Sequence, residues 1–193
     1  MIREVHVPGA EDFGDVESLL ALAASPGIRP GLERVGRLLE LLGNPQDDYP
    51  ALHVVGTNGK GSTCAFLESV LRAAGYRTAF YSSPHLESPG ERLLIAGRPL
   101  DADRWMAAVQ KTVDAVRGDS SLEADPPSYF EIVTAAAFCL ASEERADVAV
   151  VEAGLGGRLD ATNLLGDVAC SVVASISMDH SEYLGDTLEK IAG

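Results

Sequence analysis

The chain has 193 residues, of which 46% are hydrophobic and 23% charged, and a formal net charge of −14 at pH 7. That length suits one well-cored domain or slightly more, and so acidic a balance argues against wrapping a nucleic-acid backbone, which needs a basic face. No apolar run reaches the ~18–20 residues of a membrane span and the N-terminus lacks the apolar core of a secretory signal, so the expected setting is the cytoplasm, without a membrane partner.

Residues 1–16 read as a polar lead-in. Two amphipathic helices are expected next. The second is the stronger, with Leu32, Val35, Leu38, Leu39 and Leu42 at helical spacing and Gly43 as a stop. From residue 51 strands alternate with helices: strand Ala51–Val55, helix Ser62–Ala74 closed by Gly75, strand Thr78–Tyr81. Residues 92–95 and 98–100 read as a small β-hairpin turned through Ala96-Gly97. Asp101 can cap a helix to about Val116, and residues 117–127 read as a polar loop. Ser128 and Glu131 have capping-box spacing and open a helix to about Glu144. Val148–Val151 and Ala169–Ile176 are expected as buried strands, and Thr187–Ala192 begins a last helix. Such alternation predicts an α/β fold, a mostly parallel sheet covered by helices on both faces. The cysteines at 64, 139 and 170 are far apart and read as reduced core or helix-face thiols, not a disulfide framework or zinc site.

The most informative segment is Gly56-Thr57-Asn58-Gly59-Lys60-Gly61-Ser62, between a strand and a helix. Its glycines let backbone N–H groups converge, and the helix N-terminus favours an anion. Lys60 can reach terminal phosphates, while Ser62 or Thr63 can support a magnesium shell. The strict phosphate-loop pattern is not met: Val54 stands at its first glycine, and Gly61 separates Lys60 from Ser62. An ordinary glycine-rich turn with an exposed lysine is the bland alternative, and the flanking strand and helix weigh against it.

A second glycine-rich turn, Gly154 to Asp160, also follows a strand. The dinucleotide fingerprint fails there, because Leu159 holds its third glycine position and no long helix follows. What remains is a strand ending in Glu152, the usual place for a second hold on magnesium, and a polar elbow carrying Arg158 and Asp160. Two more strands end in Ser82-Ser83-Pro84-His85 and Ser177-Met178-Asp179-His180. A lone histidine after a strand is usually a surface residue. In a doubly wound sheet, however, the strand C-termini share one edge where ligands bind, which would bring Lys60, Ser83, Glu152 and His180 together.

These motifs carry a resemblance. The Gly56–Ser62 loop, Tyr81-Ser-Ser-Pro-His-Leu86, Ser128-Tyr-Phe-Glu131, Glu152–Asn163 and Asp179-His-Ser-Glu-Tyr-Leu-Gly185 resemble folylpolyglutamate synthases and dihydrofolate synthases of the Mur ligase superfamily, in order and spacing. The resemblance implies a three-layer P-loop NTPase-like domain of the Mur ligase central type over residues 17–193. It implies a phosphate loop for ATP at Gly56–Ser62, with Lys60 on the terminal phosphates. It implies Mg2+ ligands at Ser83, Glu152 and His180, a mobile substrate loop from Ser83 to about Gly90 that includes Pro84, and a pteroate or folate site using Tyr129, Phe130, Arg158 and Asp160. The implied reaction is attack of a substrate carboxylate on ATP to give an acyl phosphate, which the amine of L-glutamate then displaces. The family has a C-terminal domain and a carbamylated lysine whose position would fall just past Gly193; Lys190 is not that lysine, and either a fragment or a shortened protein is expected. These residues are thus expected to supply the ATP and pterin half. A Mur-type ligase acting on a cell-wall nucleotide precursor, and a nucleotide-binding chain without turnover, are the competing readings.

Overall fold

A computed structural model describes residues 9–192. In chain order the helices are α1 (Gly14–Ala23), α2 (Glu33–Leu41), α3 (Lys60–Ala73), α4 (Ala102–Arg117), α5 (Ser120–Ala124), α6 (Tyr129–Glu143), α7 (Ser181–Leu184) and α8 (Leu188–Ala192). The strands are β1 (Ala51–Val55), β2 (Thr78–Tyr81), β3 (Leu93–Ile95), β4 (Arg98–Pro99), β5 (Val148–Glu152) and β6 (Val168–Val173). They form one sheet in the order β4-β3-β2-β5-β1-β6. β2, β5, β1 and β6 run parallel, and the β3–β4 hairpin adds an antiparallel edge through a turn at Ala96 and Gly97, both at positive φ.

Strand side chains alternate between two helix layers, as a period of two requires. Ala79, Tyr81, Ala149 and Val151 join the larger core with α1, α2, α4 and α6, while Val54 and Val150 face Cys64 and Leu67 of α3. α6 is apolar on nearly every side, from Ile132 to Ala141, because it lies between the sheet and the outer helices. Its start is the expected capping box: Ser128 accepts from the Glu131 N–H, and Glu131 accepts the Ser128 N–H at 2.7 Å. Among the described residues no helix is long and apolar enough to cross a membrane.

Three expectations need correction. Residues 1–8 of the lead-in lie outside the described residues. The rest is not a polar lead-in, because Phe13 and Val16 are buried in the core and the boundary at 16/17 falls inside α1. Phe13, Val16 and Leu20 continue a helical face that the flanking acidic residues disguise. The loop at 117–127 contains α5, whose N-cap Asp119 accepts from the N–H groups of Ser121 and Leu122. β6 is an exposed edge strand, not a buried one, with Cys170 on its surface and Val173 61% exposed. An apolar run makes a strand fit for burial, but burial needs a second layer, and in β6 Val172 is the residue that packs against the α3-side cluster while its neighbours stay exposed.

Candidate active site

Because β1, β2, β5 and β6 are parallel, their C-terminal ends share one rim. The loop after β1 is the tightest feature there. Gly56 has φ 130°, and a Cβ on it would meet the Ala174 backbone at 3.2 Å. Gly59 has φ 83° and is the N-cap of α3, so the helix starts at Lys60, two residues earlier than the sequence suggests. The loop is stitched to the segment after β6: the Thr57 N–H donates to the Ser175 carbonyl (2.8 Å) and the Asn58 amide to the Ser177 hydroxyl (2.9 Å). Lys60 does not point outward. Its Nζ donates to the carbonyls of Gly56 (2.9 Å) and Thr57 (3.2 Å), folding back over its own loop. The Thr63 hydroxyl is spent on the Gly59 carbonyl (2.8 Å), which leaves Ser62 as the exposed hydroxyl of the first turn.

Glu152, at the end of β5, is buried beside this loop. A Cβ on Gly61 would lie 3.4 Å from its Oε2, so the first turn of α3 runs directly beside the carboxylate. Burial pushes the Glu152 pKa up, opposed by the N–H groups of Ser83 and Gly61 and by the Lys60 charge. Ser83, just past β2, has a buried hydroxyl with no hydrogen-bond partner. A buried carboxylate with no ion pair among the described residues and an orphaned hydroxyl fit a hard cation, which takes oxygen ligands. His180 stands on the same side of the molecule, at φ 46°, but its ring is about half exposed and lies 3.8 Å from Asp179. Among the described residues no cluster of three His, Cys, Asp or Glu side chains is drawn together, so His180 is not pre-assembled with Glu152.

Beside the loop opens a cleft of about 540 Å³. Gly56, Thr57, Ser83, Pro84 and His180 line it, together with Tyr129, Phe130, Arg158 and Asp160. Gly154 leaves room for the Phe130 ring: a Cβ there would meet it at 2.6 Å, and the ring would have to move. Asp160 differs from its expected role. It is buried, with Oδ2 accepting the Leu155 N–H (2.7 Å) and Oδ1 accepting the Thr162 N–H (3.0 Å) and hydroxyl (2.6 Å). Thr162 in turn meets His53 Nε2 at 2.8 Å. Asp160 therefore holds the elbow's shape with both oxygens engaged. Arg158 is exposed and forms no ion pair among the described residues. The loop from Ser83 to Gly90 is tethered: Glu91 accepts the N–H groups of Leu86, Glu87 and Ser88 at 2.7–2.9 Å, which holds its carboxyl below the usual range.

The dihydrofolate synthase/folylpolyglutamate synthase of Bacillus subtilis (strain 168) is 41% identical over 168 residues, covering 86% of this chain and 39% of that protein. The solved structure of E. coli FolC in complex with DHPP and ADP superposes with a TM-score of 0.85 at 40% identity, covering 96% of this chain and 43% of the other. This chain belongs to the dihydrofolate synthase/folylpolyglutamate synthase family. A bifunctional folylpolyglutamate synthase/dihydrofolate synthase with Mn, AMPPNP and L-glutamate bound superposes at a TM-score of 0.79 and 38% identity, covering 96% of this chain and 44% of that one. The chain spans about two fifths of the length of these relatives. No protein-family model matches it.

Two groups of cleft residues in this family member escape the motif reading. The stretch Gly27–Gly31 forms one wall, tied down by Arg29 to Asp125 (2.5 Å) and the Pro126 carbonyl (3.0 Å). Arg92 forms another part, stacked over the Tyr129 ring at 5.6 Å. The first is a turn with no charge pattern of its own. The second sits at the start of a hairpin strand, where a solvated arginine is the ordinary expectation. Neither carries a local signal.

Proposed function

We propose that this chain is the ATP- and pteroate-binding part of an ATP-dependent ligase that joins L-glutamate to dihydropteroate or a folate, working in the cytoplasm. The continuity of the cleft carries this reading. One space touches the glycine loop, which suits phosphates, and the Tyr129–Phe130 wall, which suits a flat aromatic ring system. A carboxylate at the end of such a ring system would then lie toward the phosphate loop. That is the arrangement an acyl-phosphate route to an amide needs.

The N–H groups of Gly56–Ser62 and the start of α3 would receive the phosphates, and Lys60 would leave the carbonyls of Gly56 and Thr57 to pair with the terminal ones. Ser83 and Glu152 would hold Mg2+, with His180 joining from the rim. The ion supplies positive charge to the phosphoryl group in transfer. Pro84, Tyr129 and Phe130 would flank the ring system. Arg158 would meet polar substrate groups at the elbow, and Asp160 would fix the elbow on which they dock.

Calorimetric titration tests this. With ATP and Mg2+ present, the chain is expected to bind dihydropteroate or a reduced folate. Binding of a cell-wall nucleotide precursor in place of both pterins would overturn the folate assignment.

A further inference from the structure

Arg92 is more than nine-tenths buried, and it lines the cleft. Its Nε donates to His85 Nδ1 at 2.8 Å, and its guanidinium carbon lies over the Tyr129 ring. Its Nη1 is buried without a hydrogen-bond partner, and no carboxylate of the described residues forms an ion pair with it. The acid on this side of the cleft, Glu17, is committed to the Tyr129 hydroxyl at 2.8 Å. A guanidinium taken from water with no counter-charge and an idle N–H is costly, and chains keep one where a ligand completes it. The β-strand at Leu93 and the Glu91 clasp on the preceding loop fix the backbone around it, so the side chain is held in place before any ligand arrives.

We infer that Arg92 is the group that receives the carboxylate of the ring-bearing substrate, a positioning residue that aims that carboxylate toward the phosphate loop. This rests on the pteroate reading of the cleft and adds to it the residue that recognises the anionic end. An arginine suits the task because its fork presents parallel donors to a carboxylate. The Tyr129 face and the His85 nitrogen restrict its rotation, so little side-chain freedom is lost when the anion arrives.

The test compares dihydropteroate with its carboxamide, titrated into the chain with ATP and Mg2+ present, for wild type, Arg92→Lys and Arg92→Met. A charged hydrogen bond of ordinary strength predicts that wild type prefers the acid by roughly 10- to 150-fold. Arg92→Met should abolish that preference by weakening the acid alone. Arg92→Lys should retain part of it, because the charge stays and the fork is lost. ATP affinity and the circular dichroism spectrum should not change in either variant. Equal binding of acid and amide by wild type, or equal losses of both in Arg92→Met, would place Arg92 elsewhere on the ligand and overturn the inference. A wild-type chain that binds ATP but neither pterin compound would overturn the cleft reading, and the inference with it.

Discussion

Replacing Asp160 with asparagine separates a residue that shapes the elbow from one that touches a ligand. In the native chain the carboxylate accepts three hydrogen bonds while 4% exposed. Asparagine can keep the two from Thr162 through its one oxygen, but its NH2 group then faces the Leu155 N–H, donor against donor at the 2.7 Å position. One buried N–H left unpaired costs about 1–3 kcal/mol. A second effect acts the other way. Burial raises the Asp160 pKa, so the native charge is itself under strain, and a neutral side chain relieves some of it. The expected net loss is therefore at the low end, about 1–2 kcal/mol, or a fall in Tm of roughly 2–8 °C for a chain of this size. Asp160→Ala should cost more, about 3–5 kcal/mol, because two N–H groups and the Thr162 hydroxyl lose their acceptor. Urea denaturation without ligand measures both. Wild-type stability in Asp160→Asn, accompanied by a large loss of pterin binding, would refute the structural role and make Asp160 a direct ligand contact.

Lys60→Ala should weaken ATP binding by an order of magnitude or more without unfolding the chain, because the side chain bonds only to its own loop; loss of the circular dichroism signal would contradict this. Gly154→Ala should push the Phe130 ring into the cleft and cut pterin affinity while ATP affinity is retained, as parallel titrations would report. Asp119 has its carboxyl held down to about 2 by hydrogen bonds from Ser121 and Arg37. Its contribution to stability is therefore present above its ordinary value of 3.8 and is lost as pH falls through about 2. The urea midpoint of wild type should fall relative to Asp119→Asn across that window, and parallel curves would count against the cap.

Much of the fold is legible locally. The capping box at Ser128, the Asp101 cap, the positive-φ turn at Ala96-Gly97 and the period-two strands each announce themselves within a few residues, because the forces that set them are local. The convergence of Lys60, Ser83 and Glu152 is also readable, since parallel strands put their C-terminal ends on one rim. Packing between distant segments is what escapes. Nothing near Val168–Val173 reveals that the strand lies at an uncovered edge, and nothing near Phe13 reveals that its ring packs against Gly90. The cleft shows the same division. Tyr129 and Phe130 are visible as part of a motif, but the wall from Gly27 to Gly31 and the buried guanidinium of Arg92 exist only once α1, the hairpin and α6 have met. The place of Lys60 beside the glycine loop is legible, whereas its folded-back resting position depends on carbonyl directions that residue types do not encode.

The account depends on Glu152 and the glycine loop serving one metal–nucleotide site. ATP affinity measured with and without Mg2+, in wild type and in Glu152→Gln, tests that most directly. The account predicts that Mg2+ tightens ATP binding in wild type and that this gain largely vanishes in Glu152→Gln, with metal-free affinity little changed. A variant that keeps the full Mg2+ gain would contradict it.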